Sequence, residues 1–299
     1  MLETIYICRH GARQDWLDPA HVSVTNLYHD PSLSEQGLEQ AQHLGDFLSA
    51  PEDSPVPELI FSSPFYRCVQ TSRPLAQKLG EPVHLEMGVM EWFSKAREGS
   101  GLHTRPHATS PEALVPHFPE ITLHPTYTHT YYPSRRGESV EELHARIEGF
   151  LAAWVNRVQA DWPEVKTVVI FAHAATVIAL GRALVGDNHL DVRSGTCSTS
   201  KYVRKAAPNG HANGHANGHA NGQANGHASP SLPALGTWDI EWNGKTSYLP
   251  GGELRSWSFR EVRYTPEGTV VEDQGDGLAF TDQDELPLGL AKGMEKHVL

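Results

Sequence analysis

Short apolar runs that alternate with helix-like stretches are the feature that most constrains the fold of this chain. Residues 4–8 are a short β-branched run, and Thr167–Ala172 is a continuous apolar run of the kind that lies buried on both faces of a sheet. Residues 58–62 and 82–87 have the same strand-like character. Strands separated by helices are typical of a mainly parallel sheet. The pattern therefore predicts an α/β fold, a three-layer α/β/α sandwich around that sheet.

Helices are predicted from apolar residues at helical spacing between these strands. Residues 34–50 and Tyr66–Leu79 show this spacing. Ser139-Val140-Glu141-Glu142 has the form of a capping box and predicts the start of a long helix. Residues 175–185 predict a further helix, and Gly186 is placed to end it.

Two long segments do not fit this alternation. Residues 91–137 are rich in His, Pro, Thr and Tyr without a clean period, so we expect an excursion over the sheet. Residues 206–235 contain no charged side chain and repeat His-Ala-Asn-Gly three times, which predicts a flexible insert. His211, His215 and His219 have a spacing that suits zinc on a helix. The Asn-Gly steps disfavour that helix, and a solvated linker is the favoured interpretation.

The C-terminal third predicts a smaller set of strands and a tail. Residues 237–242 and 245–249 flank Asn243-Gly244, which favours a β-hairpin with a type I′ turn. Residues 257–264 predict another strand. The acidic residues 273–299 predict a loose tail. We therefore expect a single domain over residues 1–272 that carries the 206–235 insert, followed by the tail at 273–299.

The charge and cysteine content exclude several classes of protein. The chain of 299 residues has 24 Lys and Arg against 36 Asp and Glu, a formal net charge of −12, which disfavours direct binding to nucleic acid through phosphates. Three cysteines cannot build a disulfide framework, and the N-terminal apolar run is too short for a signal peptide. No stretch reaches the roughly 18 apolar residues of a membrane helix. We expect a cytoplasmic or nuclear protein, with no membrane partner.

Basic and imidazole side chains follow the ends of three predicted strands. Arg9-His10-Gly11 ends the first strand, Ser62-Ser63-Pro64 ends another with Arg67 in the next helical turn, and His173 ends the apolar run. Ligands bind at the carboxyl ends of parallel strands. Each of these residues, taken alone, more often has a structural role. Their occurrence together at the ends of strands predicts an anion pocket of two guanidinium groups and two imidazoles.

Five short motifs appear in the order found in a known family. As a set they resemble the histidine phosphatase superfamily, with its phosphoglycerate-mutase-like fold, over about residues 4–203. The motifs are Arg9-His10-Gly11, Leu33-Ser34-Glu35-Gln36-Gly37, Ser62-Ser63-Pro64-Phe65-Tyr66-Arg67, Gly137-Glu138-Ser139 and Ala172-His173.

The resemblance implies a phosphomonoester phosphatase that acts through a phosphohistidine intermediate. His10 would be the nucleophile. Arg9, Arg67 and His173 would bind the phosphoryl oxygens, and Glu91 would be the general acid. The family needs no cofactor and no metal, so we expect a metal-independent phosphatase of the histidine acid type. A cysteine mechanism at Cys68 is rejected, because the loop that it would need is absent.

Departures from the usual pattern narrow the branch. Arg13 stands where many members have other residues, so we expect it to add a third guanidinium to substrate binding. Glu91-Trp92-Phe93 replaces the Tyr-Gly step of the mutases and disfavours a glycolytic mutase. These features resemble the Sts-type protein tyrosine phosphatases. They also resemble a fungal branch that includes the phosphatase-like subunit of the transcription factor TFIIIC.

Two functions follow from this resemblance and remain open at this point. The first is a phosphatase for phosphorylated small molecules or phosphoproteins, including phosphotyrosine-like substrates. The second is a phosphatase-fold subunit of a TFIIIC-like transcription or signalling assembly, with a protein partner. The chain ends at Leu299 without room for the extra assembly domain of that subunit, which favours a stand-alone relative. Histidines 103, 107, 117, 124 and 129 could line a substrate pocket, although scattered loop histidines are the favoured interpretation.

Overall fold

The computed structural model describes residues 1–106, 113–206, 234–266, 270–273, 275 and 281–298. The predicted insert, with its three evenly spaced histidines, lies almost wholly outside these residues. The strands are β1 (Thr4–Arg9), β2 (Leu59–Ser62), β3 (Val83–Leu85), β4 (Tyr131–Tyr132), β5 (Thr167–Ala172), β6 (Thr199–Arg204), β7 (Trp238–Lys245) and β8 (Gly289–Leu290). The helices are α1 (Glu35–Ser49), α2 (Tyr66–Leu79), α3 (Val140–Asp161), α4 (Ala174–Val185) and the single turn α5 (Asp282–Glu285).

The central sheet of the described residues has six strands in the order β3-β2-β5-β1-β6-β7. β3, β2, β5 and β1 run parallel to one another. β6 is antiparallel to β1, and β7 is antiparallel to β6. The parallel part of the sheet brings the carboxyl ends of β1, β2 and β5 to one edge. The predicted α/β fold class is confirmed.

Alternate residues of β1 pack on opposite faces of the sheet. Ile5 and Ile7 belong to the apolar core that includes Trp154 of α3, and Tyr6 and Cys8 belong to the core on the other face. Both faces are buried, which explains why the central strands are apolar without alternation. Helices α1 and α2 cover one face, and α3 and α4 cover the other.

The predicted helix ends agree with the structure. The Ser34 side chain accepts a hydrogen bond from the Gly37 amide at the start of α1. Ser139 and Glu142 form the predicted capping box of α3. Gly186 follows α4 with a φ of 79°, in the left-handed region that glycine adopts without steric cost. No helix in the described ranges is long and apolar enough to cross a lipid bilayer.

The predicted hairpin at Asn243-Gly244 is wrong. Both residues lie inside β7, which pairs along its length with β6, a strand that the sequence pattern did not reveal. The Asn243 side chain accepts from the Arg193 amide (2.9 Å) and donates to the Asp191 carbonyl (2.8 Å). These contacts hold an irregularity in the strand where the local pattern predicts a turn.

The predicted strand over residues 257–264 is also wrong. Phe259–Glu261 form a short 3-10 helix, because the Ser258 and Glu261 side chains cap it reciprocally. The end of the predicted insert also packs against the domain. Ala234 is buried, and its carbonyl accepts from the Trp238 indole at 3.0 Å.

The described part of the predicted tail packs against the domain, contrary to the expectation of a loose segment. β8 pairs with β4 in a second small sheet. Glu285 is buried, and its carboxylate accepts from the Arg136 Nε at 3.0 Å. The Asn156 side chain of α3 donates to the His297 carbonyl at 2.8 Å.

Candidate active site

The carboxyl ends of β1, β2 and β5 place three predicted site segments side by side. Arg9 pairs with Ala172, and Ser62 pairs with Phe171, so the residues that follow each strand meet at one edge. The ring centres of His10 and His173 are 5.4 Å apart. This edge is where ligands bind in parallel α/β sheets.

The turn after β1 depends on two glycines. A Cβ atom added to Gly11 would lie 2.6 Å from the Gly37 carbonyl oxygen, and one added to Gly37 would clash with the Ala12 carbonyl. The Gly11 amide donates to Thr71 Oγ1 at 3.1 Å, and the Ala12 amide donates to Gln40 at 3.0 Å. The Arg-His-Gly motif therefore needs glycine for the close approach of the turn to α1.

His10 is held as a neutral imidazole with its lone pair on Nε2. Its Nδ1–H donates to the Gly11 carbonyl at 2.8 Å, and since a carbonyl only accepts, the proton lies on Nδ1. Burial, followed by the nearby Arg67 and Arg9 charges, lowers the pKa of His10 well below its ordinary value. Near neutral pH the side chain is therefore an unprotonated nucleophile.

Arg67 lies at the centre of the site and is almost fully buried. Its Nη2 donates to Glu91 Oε2 at 3.1 Å and lies 3.0 Å from His173 Nδ1. Its Nη1 donates to the His29 carbonyl at 3.2 Å. Its guanidinium carbon lies 4.5 Å from the ring centre of Phe65. Burial lowers the pKa of Arg67, but an arginine keeps its charge near neutral pH.

His173 and Glu91 form a coupled pair beside Arg67. His173 Nε2 is 2.8 Å from Ser63 Oγ, and its Nδ1 is 3.3 Å from Glu91 Oε2. Burial lowers the pKa of His173 to about 4, so the ring is neutral near pH 7. Burial raises the pKa of Glu91. His173 and Arg67 outweigh this effect and hold the pKa well below its usual value. Glu91 is ionised in the free site.

Arg9 is anchored by backbone oxygens. Its Nη1 donates to the carbonyls of Ser194, at 2.6 Å, and of Arg255. Burial lowers the pKa of Arg9 to about 10. Within the described residues, neither Arg9 Nε nor Arg67 Nε has a hydrogen-bond partner, although both atoms are buried. Buried donors of this kind require an acceptor, and phosphoryl oxygens are suited to supply it.

Arg13 differs from the other two arginines because it lies at the rim. It is ion-paired with Asp15, and one fifth of its side chain is exposed. Its guanidinium carbon lies 5.4 Å from the ring centre of Trp16. Its charge nevertheless contributes to the low pKa of Arg67 and of His173. The structure thus brings Arg13 near the pocket without burying it there.

A group of three side chains in this site has the composition of a metal site. His10, Glu91 and His173 each offer a ligand atom, and these atoms lie within 4.8 Å of one another. Two nearby guanidinium groups oppose a divalent cation and favour an anion. The expectation that no metal takes part remains a prediction.

Asp30 is a site residue that the sequence reasoning missed. Its carboxylate accepts from the Tyr66 amide at the start of α2 (2.8 Å) and lies 3.9 Å from Arg67. Burial raises the pKa of Asp30 to about 6, although Arg67 opposes this shift. The segment before it has no helical or strand period, so only the isolated acidic residue could have drawn attention to it.

The excursion over residues 91–137 supplies one wall of the site. Phe93 lies 5.9 Å from the His29 ring centre and stacks on His103 with ring centres 4.7 Å apart. His129 is buried, and its Nδ1 donates to the Leu85 carbonyl. His124 stacks on another ring outside the site. Among the described loop histidines, His103 thus stacks on the Phe93 wall, and His117 lies 5.6 Å from Tyr66 between ring centres. His107 lies outside the described residues.

A cavity of about 810 Å³ lies elsewhere, between residues 95–102 and the start of α3. Lys95, Arg97, Arg136 and Arg146 line it together with four glutamates. Neither catalytic candidate histidine borders it. Its mixed charge and its position separate it from the candidate active site.

Comparison with known proteins identifies the family. The family model "Histidine phosphatase superfamily (branch 1)" matches residues 5–205. The chain belongs to the histidine phosphatase superfamily. The family resemblance predicted from the motifs is confirmed, and all of the candidate catalytic residues lie within the matched range.

Curated proteins similar to this chain include a yeast transcription factor subunit and a bacterial mutase. The transcription factor tau 55 kDa subunit of Saccharomyces cerevisiae is 32% identical over 270 residues, which are 87% of this chain and 59% of that protein. The chain thus spans less than two thirds of that relative. A 2,3-bisphosphoglycerate-dependent phosphoglycerate mutase of Clavibacter michiganensis is 25% identical over 207 residues, 63% of this chain and 79% of the mutase.

The fold of this histidine phosphatase superfamily member is also found in solved structures. The ecdysone phosphate phosphatase from Bombix mori, in complex with tungstate, superposes with a TM-score of 0.51 and 19% identity. The superposition covers 75% of this chain and 98% of that chain. At this identity the comparison establishes the shared fold.

Proposed function

We propose that this chain is a phosphomonoester hydrolase that works through a phosphohistidine at His10. The observation that carries the proposal is the neutral His10 ring, whose Nε2 lone pair is free while Nδ1 is held by a carbonyl. Two buried guanidinium groups, Arg9 and Arg67, lie beside it with unsatisfied Nε–H donors. A nucleophile next to preorganised anion donors suits attack on a phosphate ester.

The proposed reaction has two balanced steps. The substrate monoanion first passes its proton to Glu91. His10 Nε2 attacks phosphorus, the N–P bond forms, the bond from phosphorus to the leaving oxygen breaks, and Glu91 gives that oxygen the proton. Water then attacks phosphorus, Glu91 takes the proton of the water, and the N–P bond breaks. Inorganic phosphate leaves with that proton, and neutral His10 and ionised Glu91 are restored.

The arginines and His173 would stabilise the charge that accumulates on the phosphoryl oxygens. Arg67 contacts both Glu91 and His173, so a bound phosphate would accept from the same Nη2 donor that now reaches Glu91. Ser63 orients His173 through the 2.8 Å contact to Nε2. The set is already positioned before substrate binds, which is the condition for large electrostatic effects.

We propose phosphoproteins, including phosphotyrosine-like residues, as the substrate class. Aromatic side chains border the pocket, with Phe65 5.1 Å from His173 and Trp16 6.2 Å from His10 between ring centres. Such rings can pack against an aryl phosphate. A panel of phosphotyrosine peptides, sugar phosphates and nucleotides would test this class against the others.

Release of phosphate from p-nitrophenyl phosphate tests the function directly. We expect hydrolysis by the purified full chain, and its loss in His10→Ala, because both ring nitrogens of the neighbouring His173 are engaged by Ser63 and Glu91. Arg67→Ala should lower kcat by about 10²–10³-fold, the range for one preorganised donor to the transition state. Arg73→Ala, on the same helix but in a surface ion pair with Glu120, is the matched control and should retain activity.

Two results would contradict the assignment. Activity that survives His10→Ala would remove the nucleophile, provided that the protein is folded. Exposed His189, in the turn that follows α4, serves as the control for the loss of an imidazole. Absence of any phosphate release by the unmodified chain between pH 5 and 8 would contradict the enzyme itself.

A second function is supported by the similarity to the tau 55 kDa subunit. We propose, as the alternative, that the chain is a subunit of a TFIIIC-like nuclear assembly, with or without catalysis. Affinity purification of the full chain from nuclear extract would test this, with TFIIIC subunits expected in stoichiometric amount. His10→Ala should assemble equally well, since assembly does not use the nucleophile. Absence of those subunits from the purified material would contradict the alternative.

A further inference from the structure

Three guanidinium groups surround the indole ring of Trp16 at the rim of the site. The guanidinium carbons of Arg255, Arg13 and Arg9 lie 4.8, 5.4 and 5.8 Å from the ring centre. The same ring centre is 6.2 Å from that of His10. Cations over an indole face are attracted to it, but three like charges in one place repel one another. The cluster therefore favours a negative group.

The guanidinium of Arg255 differs from those of Arg9 and Arg13 in its partners. Arg9 donates to two backbone carbonyls, and Arg13 is paired with Asp15. Arg255 is exposed, and no carboxylate or carbonyl in the described part of the chain accepts from its guanidinium. Its charge is thus the one that remains available to a ligand.

The backbone holds Arg255 in place. The Thr196 amide donates to the Leu254 carbonyl (2.9 Å), and Ser194 Oγ donates to the Trp257 carbonyl (2.8 Å). The Arg255 carbonyl accepts from Arg9, and its φ is 51°, an uncommon value for a residue with a side chain. Strained backbone of this kind clusters at ligand clamps. The segment lies beyond the residues that the family model matches.

The surroundings of this cluster suit a peptide chain. Leu17, Val22 and Tyr28, on the loop that follows Trp16, are 69%, 71% and 64% exposed. Exposed apolar side chains next to a site mark a contact surface for another chain. An open rim with apolar neighbours would leave a small molecule mostly in solvent, whereas an extended peptide would cover it.

We infer that Arg255, together with Trp16, forms a rim subsite that binds an acidic residue next to the phosphorylated residue of a peptide substrate. The inference deepens the proposed function and rests on it for the position of the scissile phosphate at His10. It assigns Arg255 a role in specificity, since its charge would favour peptides with flanking carboxylates. The bond-breaking chemistry stays with the buried residues.

A matched pair of phosphotyrosine peptides tests the subsite. The two peptides differ only in carrying Glu or Gln on both sides of the phosphorylated residue. We expect the unmodified chain to prefer the Glu peptide by about fivefold in kcat/KM at low ionic strength, with the preference weakened by salt. In Arg255→Gln the ratio should fall to about one, and in Arg255→Glu it should invert. Because the readout is a ratio, a general loss of activity cancels.

Exposed Arg260, on the same segment but without a contact to Trp16, is the control. Arg260→Ala should keep the full preference. An unchanged ratio in Arg255→Gln, or no preference in the unmodified chain, would overturn the subsite.

A binding measurement tests the subsite independently of phosphatase activity. If the chain releases no phosphate, the same labelled peptides are compared by fluorescence anisotropy, with the ratio of dissociation constants as readout. A preference that depends on Arg255 supports the subsite even without turnover. A ratio near one in both assays overturns it, whatever the outcome for His10.

Discussion

Two arginines, Arg9 and Arg67, lower the pKa of His10, and Arg67 also lowers the pKa of Glu91. Their charges add to burial in lowering the pKa of His10, which keeps the nucleophile unprotonated. Arg67 also helps to lower the pKa of Glu91, which leaves the proposed general acid without its proton in the free site. The proton therefore has to arrive with the substrate. The monoanion of a phosphate monoester carries one, since its second pKa is about 6.

Because the substrate has to supply the proton, we predict that kcat/KM depends on pH on the acid side of neutrality. We expect kcat/KM to be highest below about pH 6 and to fall about tenfold per unit above it, as the substrate monoanion disappears. The acid limit should lie well below 6.5, because the depressed pKa of His10 delays its protonation. The measurement is kcat/KM for an alkyl phosphate from pH 4 to 8.

Glu91→Gln provides the control for that profile. It should cost far more with an alkyl phosphate than with p-nitrophenyl phosphate, whose leaving group needs little help from an acid. A kcat/KM that rises between pH 6 and 8 would contradict delivery of the proton by the substrate.

Among the elements, those buried on both faces or capped by local side chains could be predicted from the sequence. β5 and α2 begin and end at the predicted residues, because their apolar patterns are set by burial in the sheet and against α1. β6 was not predicted, and β7 was predicted only as a shorter strand over residues 237–242 that ends in a turn. Asn-Gly is a strong local signal for a turn, but the contacts of Asn243 with Asp191 and Arg193 override it.

The candidate site also contains residues that could be predicted from the sequence and residues that could not. Arg9, His10, Arg67 and His173 lie at or just after the carboxyl ends of strands predicted to be parallel, so their meeting point was predictable. Asp30, Trp16 and Arg255 lie on loops without a period, and the place of Arg255 depends on backbone bonds to residues some 60 positions earlier in the chain. Long-range contacts between loops leave no local pattern to find.

The irregularity in β7 gives a test of this argument at the scale of one element. Gly244 has a φ of 65°, and an added Cβ would clash with the Arg193 side chain. Gly252 has a φ of 63°, and an added Cβ would meet nothing within 4 Å. Gly252→Ala should therefore lower the free energy of unfolding by about 1–2 kcal/mol, the cost of the left-handed backbone alone.

Gly244→Ala should cost more than Gly252→Ala by roughly 1–3 kcal/mol, because a clash in packed surroundings is added to the same backbone cost. Urea denaturation of the two variants, measured against the unmodified chain, gives the difference. Equal losses would mean that Arg193 moves aside freely and that Asn243-Gly244 is not held by its neighbours.

At the scale of the whole molecule, overall charge and local charge have opposite signs. The chain carries a formal net charge of −12, while Arg9, Arg13, Arg67 and Arg255 gather around one edge of the sheet. An acidic surface opposes non-specific binding of polyanions, and a small cationic site still attracts a single phosphate at short range. Net charge therefore disfavours bulk electrostatic binding to nucleic acid and is compatible with a phosphate enzyme.

The chain on either side of residues 207–233 returns to adjacent strands. Arg204 of β6 pairs with Trp238 of β7, and the Lys205 amide donates to the Thr237 carbonyl at 2.8 Å. A short loop can therefore join the two strands. We expect replacement of residues 207–233 by a six-residue Gly-Ser loop to raise the free energy of unfolding by about 1 kcal/mol, because a shorter loop costs less entropy to close. Its kcat/KM should not change, since the residues of the site lie on other elements.

Urea denaturation with and without Zn²⁺ also tests the zinc interpretation of the repeat. If the solvated-linker interpretation is right, zinc changes the stability of the full and shortened chains equally. A zinc-dependent gain that the shortened chain lacks would show that His211, His215 and His219 bind the metal, because a ligand that binds the folded state stabilises it. A lower free energy of unfolding in the shortened chain would also contradict the linker interpretation. Such a loss would require stabilising contacts between the repeat and the domain.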